Sequence, residues 1–184
     1  MATITGSYAD RRFVALLHEQ VRQEFTAHQQ YTALAVWFDA QDLPQLAKHF
    51  YTQALEERRH AMMMVKYLLD RDVPVRVPGV DEVRNDFASA HEPIVLALEQ
   101  EKKVTGQVEH LFNVAREEND AMGEQFILWF LREQVEEVAA MSTLVTVSQR
   151  AGDQLFQIED FLARETVGDA GVDPLAPLAA GEYR

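Results

Sequence analysis

The 184-residue chain contains no cysteine, which rules out disulfides, zinc ribbons, thiolate-held iron centres and thiol nucleophiles. Residues that interrupt helices are scarce, 8 Gly and 6 Pro with long stretches free of both, so helices are favoured over many short strands. No run of about 18 apolar residues occurs, and the opening MATITGSYADRRF lacks an apolar stretch, so neither a membrane span nor a secretion signal is expected. Positive charge is also short: 17 Lys plus Arg face 30 Asp plus Glu, a formal charge of -13. Such a surface repels nucleic acid and anionic membrane and attracts metal cations. The expectation is a soluble cytoplasmic protein whose length suffices for one domain with a sizeable core.

What is present is a set of long helical periods. A first helix is expected from about Asp10, as N-cap, to about Ala40, with the inward seam Leu17, Val21, Glu24, His28, Tyr31, Ala35, Phe38 stepping by fours and threes. A second starts after Asp42, as cap, with Pro44 in its first turn, and runs to about Asp70, pairing with the first as an antiparallel hairpin. From Arg71 to about Ser89 the helical period fails in a stretch with prolines and β-branched residues. That length exceeds an ordinary helix–helix connection and suits a crossover along a four-helix bundle, leaving helices two and three parallel. A third helix spans about Ala90 to Glu117. A fourth, capped by Asp120, spans about Ala121 to Arg150. Gly152 then stops the chain and Asp153 caps a short fifth helix to about Glu165, too short to stand without a packing partner. The fold expected is all-α: a four-helix bundle with a long crossover and a short C-terminal helix. Residues 1–165 form the domain, and 166–184, with three Gly and two Pro, read as a flexible tail.

Chemistry enters where polar residues occupy the apolar seams. On the second helix the seam Leu46, Phe50, Gln53, Glu57, His60, Met64, Tyr67 places a carboxylate and an imidazole one turn apart in the core. Burying them unpartnered would cost several kcal/mol, so a compensating charge is required. A metal supplies it, since carboxylate oxygen and neutral imidazole nitrogen suit iron, manganese or zinc. Each long helix contributes: Glu24 on the first, Glu57 and His60 on the second, Glu101 on the third, Gln134 and Glu137 on the fourth. Four carboxylates balance two divalent ions, and Glu57 is placed to bridge them.

The segments Glu24-x6-Tyr31, Glu56-Glu57-x-x-His60, Glu101-x-x-Val104-Thr105 and Glu133-Gln134-x-Glu136-Glu137 carry a resemblance. Over roughly residues 10–165 the chain resembles the ferritin-like di-iron proteins, and specifically the bacterial non-haem ferritins. The resemblance implies a ferroxidase centre with Glu24, Glu57, His60, Glu101 and Glu137 as iron ligands and Gln134 beside them. It implies a third, weaker iron position bounded by Glu56, Glu101, Glu133 and Glu136. Tyr31 would stand next to the centre, to hydrogen-bond a ligand or supply an electron. In haem-binding bacterioferritins the residue after the Glu of Glu-x-x-His is Met; here it is Arg58, so haem is not expected.

The activity implied is iron storage: Fe(II) oxidation by dioxygen or hydrogen peroxide, and deposition of ferric mineral inside a 24-subunit homo-oligomeric cage, with neither nucleic acid nor membrane as partner. Gln134 points the same way, because an amide is a poorer ligand than imidazole and a storage protein must release oxidised iron. The alternative is a non-storing di-metal oxidase or peroxidase of the same superfamily. Met62-Met63-Met64 reads as gap-filling core. His28, on the inward seam but outside the family pattern, is either an auxiliary iron contact or a hydrogen-bonded core histidine. Glu117, Glu118, Asp120 and Glu124 either line an acidic channel or form a solvated helix end.

Overall fold

A computed structural model describes residues 7–165, 167 and 173–182. A 3-10 turn at Tyr8–Asp10 precedes α1 (Arg12–Asp39), α2 (Pro44–Asp70), α3 (His91–Glu117), α4 (Ala121–Ala151) and α5 (Leu155–Arg164). No strand occurs among the described residues. The molecule is an all-α four-helix bundle in which α1 pairs with α2 and α3 with α4, and α5 packs against α2 and α4. No described helix is long and apolar enough to cross a membrane.

The seams read from the sequence face inward. The α3 seam (Ala97, Glu101, Val104, Val108, Leu111, Ala115) and the α4 seam (Ile127, Phe130, Gln134, Glu137, Met141, Leu144, Ser148) are buried throughout, as are those of α1 and α2 apart from His28 and Tyr67, which keep partial exposure. The apolar interior forms two separate clusters. One contains Phe13, Leu17, Met63, Met64, Leu68, Leu111, Ile127 and Phe130. The other contains Tyr31, Phe38, Phe50, Ile94, Met141 and Leu144. The three methionine positions fall in or against the first cluster, as gap-filling residues should.

Connections follow local chemistry, but several helix starts differ from expectation. Asp10 does not cap α1; with Ser7 it closes a capping box on the 3-10 turn. The free amides of Arg12 and Phe13 instead donate to the Glu118 carboxylate, at 2.9 and 3.3 Å. Asp42 does not cap α2; it lies at φ 56 in the turn, and Pro44 opens the helix. The cap comes from α5, where Glu159 accepts from the Gln45 and Leu46 amides at 2.8 and 2.9 Å. Asp153 gives way to Gln154, which makes no side-chain cap. Asp120 does cap α4, accepting from the Gly123 amide at 3.1 Å, and Gly152 ends α4 at φ 55.

The 71–90 segment is non-helical and lies along α1. His18 meets the Pro74 carbonyl at 3.2 Å, Asp81 pairs with Arg22, and Gln30 exchanges two 2.8 Å hydrogen bonds with the Arg84 backbone. The tail departs from the flexible expectation over 173–182. Ala176 and Ala179 are buried in the first apolar cluster, the Ala180 amide donates to the Met62 carbonyl at 3.0 Å, and Glu182 pairs with Arg59. Small apolar residues between and beyond the two prolines let this turn-rich segment lie close to the bundle, which composition alone does not reveal. The remaining tail positions, 166, 168–172 and 183–184, lie outside the described residues.

Candidate metal centre

Between the two apolar clusters sits a layer of charge. Glu24 of α1, Glu57 and His60 of α2, Glu101 of α3, and Gln134 and Glu137 of α4 are all buried, none more than 5% exposed. One ligand atom each of Glu24, Glu57 and His60 lie within 4.8 Å of one another. His60 Nδ1 stands 3.6 Å from Glu57 Oε2, the one-turn neighbour relation the i,i+3 spacing requires.

The layer's hydrogen bonds leave gaps on one side. Gln20 Nε2 donates to Glu24 Oε1 at 2.8 Å, but Glu24 Oε2 is buried with no partner, as are Glu57 Oε2 and Glu137 Oε2. Glu101 accepts from the Tyr31 hydroxyl and, at 3.4 Å, from Gln134 Nε2. Thr105 Oγ1 lies 2.8 Å from Gln134 Oε1 and fixes that amide's orientation. A buried carboxylate oxygen without a donor is costly, and Glu24 and Glu57 gathered with the His60 imidazole, with Glu137 unpartnered in the same layer, make a donor set that fits divalent metal.

Electrostatics say the same. Burial, with the neighbouring Glu57 charge next, pushes the Glu24 carboxyl well above its usual range. Burial and Glu101 do so for Glu57, and burial and Glu101 again for Glu137. Glu101 is raised by burial, against the Tyr31 hydrogen bond that lowers it. Burial and the Glu101 charge raise the Tyr31 phenol strongly. Like charges this close are reluctant to ionise together, and a cation removes the conflict.

Sequence-derived residues outside this layer fare differently. Glu56 and Glu133 are half-buried beside it, and their charges act on Glu137; Glu56 accepts from Gln53 Nε2. Glu136 is exposed and lines a groove of about 440 Å³ with Phe161 and Glu165, at the surface rather than in the layer. His28 Nδ1 lies 2.6 Å from the Ala54 carbonyl, the contact of a hydrogen-bonded histidine. Glu117 pairs with Arg12, Glu118 caps α1, Asp120 faces Arg71 and Arg11, and Glu124 pairs with Arg116. Two supports carry no role in the sequence reading: Gln20 is absent from it, and Thr105 enters only as part of the quoted motif. The i,i+4 relation of Gln20 to Glu24 was a usable signal, whereas the reach of Thr105 to Gln134 crosses between helices and was not.

The ferritin-like domain profile matches residues 14–151. The chain is 62% identical to Ferritin BfrB of Mycolicibacterium smegmatis over 94% of each chain. It is 33% identical to a bacterial non-heme ferritin of Staphylococcus aureus over 78% of this chain and 86% of the relative. An open pore ferritin from the archaeon Archaeoglobus fulgidus superposes with a TM-score of 0.81 at 25% identity, over 86% of this chain and 99% of that one.

Proposed function

This chain belongs to the ferritin family, and we propose that it stores iron by oxidising Fe(II) at the buried layer and depositing Fe(III) as mineral within a cage of 24 copies. One observation carries the proposal: three buried carboxylate oxygens, on Glu24, Glu57 and Glu137, without a hydrogen-bond donor. Two Fe(II) ions, the substrate, bind among Glu24, Glu57, His60, Glu101 and Glu137, with Glu57 shared between them. Dioxygen takes one electron from each ion and, with two protons, leaves as hydrogen peroxide; peroxide serves as oxidant in its turn. Iron binding displaces the protons that burial favours on these carboxylates, and four carboxylates then balance two divalent ions.

Gln134 keeps one ion loosely held, because it is a neutral amide already engaged with Thr105 and Glu101. Oxidised iron then leaves toward Glu56 and Glu133, which with Glu101 bound a weaker third position, and Glu136 lies farther out along that route at the surface. Tyr31, hydrogen-bonded to Glu101, is placed to orient that ligand and to donate an electron. Haem has no place in this reading, since Arg58 follows Glu57. The domain proposed is residues 1–165, with tail residues 173–182 docked against it. Assembly is supported by α5, whose Phe156 is 82% exposed; fifth helices gathered on four-fold axes would cover it. The setting proposed is cytoplasmic.

The test is anaerobic loading with Fe(II) followed by repeated pulses of oxygen. Storage predicts renewed oxidation at each cycle and iron accumulating far beyond the capacity of the centre. A non-storing di-metal oxidase would stop once the centre was filled, and that result would replace the storage reading.

A further inference from the structure

A continuous line of aromatic rings leads from the buried imidazole to the N-terminal turn. Trp129 and Phe130 both stand edge-on to His60, each with 5.7 Å between ring centroids, and 4.9 Å from one another. Phe130 meets Phe126 at 5.2 Å, and Phe126 stacks on Tyr67 at 4.1 Å. The Tyr67 and Tyr8 hydroxyls are 3.2 Å apart, and Tyr8 donates to the Asp120 carboxylate at 2.7 Å. With its single O–H spent on Asp120, Tyr8 accepts from Tyr67. Both ends of the line carry a proton acceptor, for Trp129 Nε1 donates to Asp173 Oδ2 at 2.7 Å. A packing role explains the rings; it does not explain why each readily oxidised ring at the ends points its acidic hydrogen at a carboxylate.

We propose that Trp129, Tyr67 and Tyr8 form a relay that carries a one-electron oxidising equivalent away from the buried centre to the Tyr8 phenol, where an external thiol or ascorbate-type reductant quenches it. The relay rests on the iron-oxidising reading above and deals with its hazard, a peroxide molecule meeting a centre that holds a single Fe(II). Peroxide then needs one electron more than the ion gives. Fe(II) becomes Fe(III), the O–O bond breaks, and the peroxide leaves as one hydroxide and one water. The second electron comes from Tyr8 through Tyr67 and Trp129. The phenol's proton passes to Asp120 and on to solvent, and solvent supplies the one proton that the peroxide-derived water takes up at the centre. Tyr8 is left as a neutral phenoxyl radical, which regains one hydrogen atom from the reductant. While Trp129 is oxidised its indole proton rests on Asp173, and it returns when Tyr67 refills the ring.

The surroundings suit this use. Arg71 lies over the Tyr8 ring at 4.0 Å and Arg11 at 5.1 Å, so a positively charged phenol radical is disfavoured and loss of the proton accompanies loss of the electron. In the resting state burial, Tyr67 and Asp120 push the Tyr8 phenol far up, so it holds its proton until oxidised. The Trp129 hydrogen bond lowers the Asp173 carboxyl, so it stays ionised with an oxygen held against the indole hydrogen. Phe130 and Phe126 are not stations; they bridge Trp129 to Tyr67. Tyr31 offers no such exit, since it is fully buried among Phe50 and Phe38.

The relay is tested in metal-free full-length protein by pulse radiolysis with azide radicals, which oxidise indole first. Trp37→Phe leaves Trp129 as the single indole. The indolyl signal should decay into a phenoxyl signal, and the phenoxyl yield should fall severalfold in Tyr8→Phe/Tyr67→Phe. An unchanged yield in that variant, or an indolyl radical that never transfers, overturns the relay. Tyr67→Phe keeps the ring on Phe126, so a loss there reports a lost redox site rather than lost packing. In a second arm, limiting Fe(II) and hydrogen peroxide are mixed and freeze-quenched. The wild type should show a phenoxyl radical by electron paramagnetic resonance, and the double variant should instead accumulate oxidised His60 and Met62–Met64 by mass spectrometry. Equal damage in the two proteins would also overturn the proposal. Failure of iron oxidation with intact transfer in the metal-free protein would remove the ferroxidase reading and leave the relay standing.

Discussion

At the scale of the residue, the centre is defined by what its carboxylates lack. Glu57→Ala removes the one carboxylate assigned to both ions, so the fast phase of iron oxidation should disappear while the assembly keeps its size. The matching control is Glu109→Ala, an exposed position on α3, which should leave the phase unchanged; stopped-flow oxidation and gel filtration check both. Glu24, Glu57, Glu101 and Glu137 all titrate above the ordinary 4.5. In the unfolded chain they ionise near that value, whereas in the folded chain they hold their protons to higher pH. The folded state therefore binds more protons, and stability of the metal-free protein should fall as pH rises above that ordinary value and through the raised folded-state range. Denaturant melts would show this, and a redox-inert divalent ion such as Zn(II) should flatten the dependence. A metal-free protein that instead gains stability over that range would refute the electrostatic account. His28→Ala should cost about 1 kcal/mol through its lost hydrogen bond to Ala54 and leave the oxidation time course alone.

At the scale of the element, the helices depend on one another for their ends. Glu118 caps α1 from the far end of α3, and Glu159 caps α2 from α5. Glu159→Ala should therefore destabilise the α2–α5 junction by about 1–2 kcal/mol, read as a lower melting temperature with α5 released first in hydrogen exchange. Gly123 is required for a close approach. A Cβ there would stand 2.8 Å from Asp120 Oδ2 and 3.1 Å from the Phe13 ring, so Gly123→Ala must disturb the α4 cap, the α1 packing or both. Removing residues 173–184 strips the Asp173, Ala180 and Glu182 contacts, at about 1 kcal/mol net for each hydrogen bond lost. The melting temperature should drop by a few degrees while assembly persists.

At the scale of the whole molecule, two apolar half-cores enclose one costly polar layer. The bundle tolerates that layer because Leu, Phe and Met packing above and below fixes all four helices. Chains of 21.0 kDa closed into a symmetric cage should elute at about 500 kDa. Phe156→Ser should shift the population toward smaller species, since a polar side chain gains nothing from burial between fifth helices. A native monomer or dimer would remove the storage reading.

Helix number, seams and the identity of the buried polar residues were legible in the sequence, because a 3.6-residue period writes burial directly into residue order. Glu24, Glu57, His60, Glu101, Gln134 and Glu137 announced themselves as charges and amides on apolar stripes. The crossover was legible too, since prolines and β-branched residues break that period. Other features only the tertiary structure decided. Asp10, Asp42 and Asp153 had the right chemistry in the right local place to cap helices, yet two of the caps come from Glu118 and Glu159, 106 and 113 residues away from the amides of Arg12 and Leu46. A cap is won by whichever carboxylate the fold delivers, and sequence distance does not encode that delivery. The docking of 173–182 was hidden for the same reason: its few small apolar residues find their surface only when α2 and α4 have built it. Nor did the aromatic residues Tyr8, Tyr67, Phe126 and Trp129 declare a common line, because they come from the N-terminal turn, α2 and α4, and only packing brings those three together.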